Sequence, residues 1–132
     1  MSEAKCILLV DDDDTTVMLT RLFLESMSLE DVHSSSNGLE AIQFIQENCR
    51  TGMDGKKQCP DIVLLDLNMP VMDGYEFLEE YSKASNLNKQ NIRIVVVSSS
   101  DSKRDRDRIA DFDVSGYIVK PLTEEKLRPF LA

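Results

Sequence analysis

The sequence predicts an α/β domain whose parallel sheet is covered by helices on both faces, and three observations carry that prediction. Short apolar runs recur at Cys6-Ile7-Leu8-Leu9-Val10, Ile62-Val63-Leu64-Leu65, Ile92-Arg93-Ile94-Val95-Val96-Val97 and Tyr117-Ile118-Val119. The segments between them space their apolar residues at helical intervals and open on capping residues. The runs are near-continuous rather than alternating, which is the pattern of strands buried on both faces.

The elements follow in chain order. The first run is a strand that stops at Asp11. From Asp13 to about Ser28 the spacing predicts a helix with an apolar stripe at Met18, Leu19, Leu22 and Phe23. Val32 to Ser35 is a short polar strand. Asn37 caps a helix running to about Asn48, with Leu39, Ile42 and Ile45 on one face. The loop from Cys49 to Pro60 carries Gly52 and Gly55 and is the expected seat of most mobility. The next strand ends on Asp66, and Asn68-Met69-Pro70 turns the chain into a helix. Asp73 and Glu76 have capping-box spacing there, Phe77, Leu78 and Tyr81 line its buried face, and it ends near Ser85. The fourth strand stops at Ser98. Ser102 to Asp111 is a polar helix with little apolar periodicity, which predicts weak anchoring. The last strand stops at Lys120-Pro121, and a short helix from Thr123 ends early at Pro129, which lacks the N–H that a helix interior needs.

Composition bounds the function. A chain of 132 residues is expected to be one domain, residues 1–132. Its 15 Lys and Arg against 24 Asp and Glu give a net charge of −9, which argues against nucleic acid and anionic membrane as partners. The one basic run, Lys103-Arg104-Asp105-Arg106-Asp107-Arg108, is interrupted by acids and reads as a solvated helix face. Signal-peptide and membrane-span patterns are absent, so a cytoplasmic location is expected. Cys6, Cys49 and Cys59 are an odd set without CxxC spacing, so neither a disulfide framework nor a zinc site is indicated, although Cys49 and Cys59 flank one loop and can come close. His33 reads as an ordinary strand or surface residue.

The chemistry gathers at strand exits. Asp11-Asp12, Asp66, Ser98 and Lys120 each follow an apolar run, and in an open parallel sheet such positions share one crevice. Three acids, a hydroxyl and an ammonium suit a divalent metal beside an aspartate that accepts a phosphoryl group. Taken singly, each has a plainer role: a turn cap for Asp66, helix-terminal acids for Asp11 to Asp14, solvated surface for Lys120. Ser98, Ser99 and Ser100 also leave the hydroxyl's register open by one residue.

With Val10-Asp11-Asp12, Asp66-Leu67-Asn68-Met69-Pro70-Val71-Met72-Asp73-Gly74, Ser98 and Gly116-Tyr117-Ile118-Val119-Lys120-Pro121 in this order, the chain resembles the receiver domain of two-component response regulators almost from end to end. The resemblance implies a flavodoxin-like (βα)5 doubly wound sheet of five strands in the order 2-1-3-4-5. It implies Asp66 as phosphoacceptor, Asp12 as a direct Mg²⁺ ligand, Asp11 as a ligand largely through water, and Asn68 contributing its backbone carbonyl. Its spacing selects Ser98 as the hydroxyl, makes Lys120 the phosphate-facing ammonium beside a cis Lys120-Pro121 bond, and makes Tyr117 the switch aromatic. The partners implied are a sensor histidine kinase or histidine phosphotransfer protein and a downstream protein target, with the output surface over the fourth helix, fifth strand and fifth helix. The protein would be a stand-alone signalling receiver rather than an enzyme, catalysing only its own phosphorylation and dephosphorylation, and a monomer or weak phosphorylation-dependent dimer. Two alternatives stand beside this. One is a receiver-like interaction module that is never phosphorylated. The other is a haloacid-dehalogenase-like phosphatase using Asp11 and Asp13, which leaves Asp66-Leu67-Asn68-Met69-Pro70 unexplained and lacks a late acidic motif.

Overall fold

The computed structural model describes residues 6–50, 59–87 and 89–131. The chain alternates β1 (Cys6–Val10), α1 (Asp14–Ser26), β2 (Asp31–Ser35), α2 (Gly38–Asn48), β3 (Ile62–Leu65), α3 (Gly74–Lys83), β4 (Arg93–Ser98), α4 (Lys103–Ile109), β5 (Gly116–Val119) and α5 (Glu124–Leu127). The strands form one sheet in the order β2-β1-β3-β4-β5, every pair parallel, which is the flavodoxin-like arrangement. Alternate side chains divide the core. Leu8, Val10, Val63, Leu65, Ile94 and Val96 pack against α2, α3 and Ile109 of α4. Ile7, Leu9, Ile62, Leu64, Val95, Val97 and Ile118 pack against Leu24 of α1 and Leu127 of α5. With both faces covered, β1 and β3 are buried at every residue, so their sequences read as unbroken apolar runs.

Side-chain caps set most helix starts. Asn37 accepts from the Glu40 N–H at 2.9 Å, and Asp73 with Glu76 forms the reciprocal capping box the spacing predicts. Ser102 and Thr123 cap α4 and α5, and the last helix passes into a 3₁₀ turn, Arg128–Phe130, around Pro129.

Three expectations are corrected. The stripe on α1 fails at three of its four positions: Met18, Leu19 and Leu22 are exposed, and the core side is Leu24, buried, with Val17, Met27 and the expected Phe23 partly buried against the core. On α2, Leu39 is likewise exposed and Ala41 takes the buried place with Ile42 and Ile45. Cys49 and Cys59 are joined in a disulfide, Cα–Cα 5.0 Å, because the end of α2 and the approach to β3 meet at the same pole of the sheet. The expected mobility at Gly52 and Gly55 falls outside the described residues. Among the described residues no helix is long and apolar enough to cross a membrane.

Candidate functional site

Hydrogen bonds carry the parallel ladder one residue past the strand ends and fix the acids there. The Asp11 N–H donates to the Ser35 carbonyl at 3.1 Å, and the Asp66 N–H donates to the Val10 carbonyl at 3.0 Å. Val10 is paired with Leu65, so Asp11 and Asp66 emerge side by side at the tops of β1 and β3. That is where the strand order reverses, the place in such sheets where a crevice opens. One carboxylate oxygen each from Asp11, Asp12 and Asp66 lies within 4.8 Å of the others. Asp11 and Asp66 are half-buried and Asp12 is exposed.

The local sequence sets Asp66 in place. Gly74 opens α3 directly under the end of β3, its N–H donating to the Leu67 carbonyl at 3.0 Å. A Cβ at Gly74 would lie 2.7 Å from the Asp66 carbonyl oxygen and 2.8 Å from the Leu67 Cα, so only glycine permits this approach. Between them the chain makes a tight turn in which the Met72 N–H donates to the Pro70 carbonyl at 2.7 Å, with Val71 at φ 67. That is the strained sense of a three-residue turn, uncommon for a β-branched residue. Asn68 is exposed, and its N–H points at Asp66 Oδ1 from 3.5 Å.

Lys120 lines the crevice with Asp11 and Asp66, and Ser98 ends the neighbouring strand β4. Ser98 pairs with Val119, and the Lys120 N–H donates to the Ser98 carbonyl at 2.8 Å. The Lys120–Pro121 bond is cis. Lys120 Nζ lies 3.9 Å from Asp11 Oδ2. Burial pushes the Asp66 carboxyl above its ordinary value; the Lys120 charge opposes this and the Asp11 charge adds to it. Ser98 is 1% exposed, and its Oγ accepts from the Ser100 N–H at 3.1 Å.

The remaining acids of the run are engaged elsewhere. Asp13 caps α1, accepting from the Thr15 N–H at 3.3 Å and the Thr16 hydroxyl at 2.6 Å, and Asp14 opens the helix. A carboxylate tied into a cap is a poor acid/base, which weighs against the phosphatase alternative.

Sequence reasoning missed a polar network behind Ser98. The Tyr117 hydroxyl donates to the Ser100 carbonyl at 2.8 Å. The Ser100 hydroxyl donates to one oxygen of Asp105 and the Tyr75 hydroxyl to the other, both at 2.6 Å. The Arg106 guanidinium lies 4.7 Å from the Tyr117 ring centroid and that of Arg108 lies 3.7 Å from the Tyr75 ring. The hydrogen bond from Ser100, then that from Tyr75, holds the Asp105 carboxyl below its ordinary value, while burial and the Asp105 partner push the Tyr75 phenol up to about 12. The only local signal was Asp105 three residues after Ser102, whose Oγ accepts from its N–H.

The arrangement offers hard oxygen ligands for a dication, a partly desolvated carboxylate for nucleophilic attack, and an ammonium and a hydroxyl for phosphate oxygens. The chain matches the family described as the response regulator receiver domain over residues 7–132. It is 31% identical over 121 residues to the sensor histidine kinase CheAY of Helicobacter pylori, covering 92% of this chain and 14% of that protein. It is 31% identical over 123 residues to the probable methanogenesis regulatory protein FilR2 of Methanothrix harundinacea, covering 92% of this chain and 76% of that one. The crystal structure of a two-component response regulator from Cytophaga hutchinsonii superimposes with a TM-score of 0.83 at 27% identity, covering 98% of this chain and 95% of the other.

Proposed function

The chain belongs to the response regulator receiver family, and from that premise we propose that it accepts a phosphoryl group from a phosphohistidine onto Asp66 and passes the event to a partner protein. The observation that carries this is the meeting of Asp11, Asp12 and Asp66 within 4.8 Å, with Lys120 3.9 Å from Asp11. An Asp66 carboxylate oxygen attacks phosphorus, the P–N bond to the donor imidazole breaks, and the imidazole leaves with that electron pair. Asp11, Asp12, Asp66 and the Asn68 carbonyl are the groups that would hold Mg²⁺, and their all-oxygen, anionic character fits it. When bound, the ion neutralises charge on the transferring phosphoryl oxygens. Lys120 supplies a point charge to one of those oxygens, and Ser98 donates its hydroxyl to another. Chemistry of this kind is positioning plus charge neutralisation, so the same residues support both phosphorylation and slow hydrolysis. The donor is a sensor histidine kinase or histidine phosphotransfer protein, and residues 1–132 act as one receiver unit, a monomer or weak phosphorylation-dependent dimer.

The signal leaves through Ser98. As its Oγ turns toward the phosphoryl group, the Ser100 N–H loses the acceptor it has at 3.1 Å. Ser100 is also the acceptor for Tyr117 and a donor to Asp105, so the loop before α4, the α4 helix and the β5 aromatic shift together. The surface over α4, β5 and α5 is then the one a downstream protein reads. Transfer from a phosphorylated histidine protein in Mg²⁺ tests the proposal: label should appear on the folded wild type and be lost in Asp66→Asn. A folded wild type that takes no label from phosphohistidine or acetyl phosphate would mark a binding module instead.

A further inference from the structure

At the opposite pole of the sheet, Cys6, Asp31 and His33 bring one ligand atom each within 4.8 Å of one another. We propose that these three residues form a second divalent-metal site, selective for zinc-like ions over Mg²⁺. Strand pairing builds it: Cys6 is in register with Asp31 across β1 and β2, and Asp31 and His33, two apart on β2, project to the same side of the sheet. His33 Nε2 lies 3.0 Å from Asp31 Oδ1, and its ring packs on Phe44 of α2 at 5.3 Å between centroids, which fixes the imidazole's direction. The Cys6 N–H donates to Asp61 at 2.8 Å, so a second carboxylate is fixed beside the same residue and adds its negative charge to that of Asp31. A thiolate, an imidazole and a carboxylate are a borderline-soft set, which suits zinc, cobalt or nickel and offers Mg²⁺ too few oxygens. On binding, the thiol proton leaves to solvent as the sulfur–metal bond forms, and water completes the coordination.

The site is independent of the phosphoacceptor reading. The five residues of β1 separate the two poles by roughly 16 Å at ~3.3 Å per residue. A metal here would clip the edge strand β2 to β1 and stabilise the fold by mass action.

The test uses the oxidised full chain, in which Cys49 and Cys59 are bridged and Cys6 lies outside the disulfide. Saturating Mg²⁺ keeps the acidic pole occupied. Titration with Co²⁺ should produce a sulfur-to-cobalt charge-transfer band saturating at one equivalent and erased by Zn²⁺. The band should disappear in Cys6→Ser, and His33→Gln should lose zinc affinity by at least about tenfold, since even outer-shell partners are worth that much. Labelling of both variants by acetyl phosphate should equal wild type, which also reports that they fold. A wild type without the band, a band surviving in Cys6→Ser, or unchanged zinc affinity in both His33→Gln and Asp31→Asn would overturn the proposal.

Discussion

Asp66 sits half-buried between an anion and a cation, and its raised carboxyl pKa links site chemistry to stability. A carboxyl whose folded value lies above its unfolded one binds protons more tightly in the native state. Stability therefore falls as pH rises from the ordinary carboxylate range through the raised value, and stays lower at neutral pH. Asp66→Asn removes that loss. In EDTA at pH 7 the variant should melt above wild type, and the gap should close as the pH falls below about 4, where both forms are uncharged. Parallel melting curves across the whole range would contradict the burial of this charge. Gly74 gives the opposite sign: Gly74→Ala forces a Cβ onto backbone atoms of Asp66 and Leu67. Overpacking of this kind costs about 1–3 kcal/mol, read by chemical denaturation, and acetyl phosphate labelling should slow as Asp66 is displaced. The candidate site was legible because Asp11, Asp12, Asp66, Ser98 and Lys120 each end an apolar run. Asp105 and Tyr75 were not, because their bond spans 30 residues and neither stands at a strand exit.

At the scale of single elements, α4 buries a single residue, Ile109. Its polar sequence announced this, but not what holds it. The Asp105 hub fills that role, accepting from Tyr75 on α3 and from Ser100 on the preceding loop. Asp105→Asn or Tyr75→Phe should speed amide exchange across residues 103–109 while leaving α2 and α3 protected. Because the Asp105 carboxyl lies below its ordinary value, its contribution is present above the ordinary carboxylate range and is lost as pH falls through the depressed value. Tyr75 keeps its proton until about 12, so the pair stays intact through neutral pH. Exchange in α4 that is unchanged in both variants would remove the hub from the switch. On α1 the reading failed for a different reason. Apolar residues at Val17, Met18, Leu19, Leu22, Phe23, Leu24 and Met27 surround the helix, so two stripes fit the period and only the sheet decides between them.

For the whole molecule, alternation of buried runs with capped helices made the architecture legible, whereas the disulfide was not, since spacing alone does not show which chain ends meet. The same architecture concentrates like charge at one pole. At 4.8 Å each carboxylate pair repels by roughly 1 kcal/mol in water-like surroundings and roughly 3 kcal/mol at an effective dielectric near 20, and Lys120 offsets only part of it. Mg²⁺ should therefore raise the melting temperature, since an ion that binds only the folded site stabilises it by mass action. Asp12→Asn should melt above wild type in EDTA and lose most of that response, while Asp13→Asn and Asp14→Asn keep it. A response lost in Asp13→Asn and kept in Asp12→Asn would assign the metal to the wrong pair. The central proposal is that Asp66 is the residue that accepts the phosphoryl group. Its most direct measurement is chemical: treat the protein with acetyl phosphate and Mg²⁺, reduce the acyl phosphate with borohydride, and locate the resulting homoserine by peptide mass mapping. One homoserine at position 66 and none elsewhere is the predicted result; homoserine at position 11 with Asp66 unmodified would contradict the account.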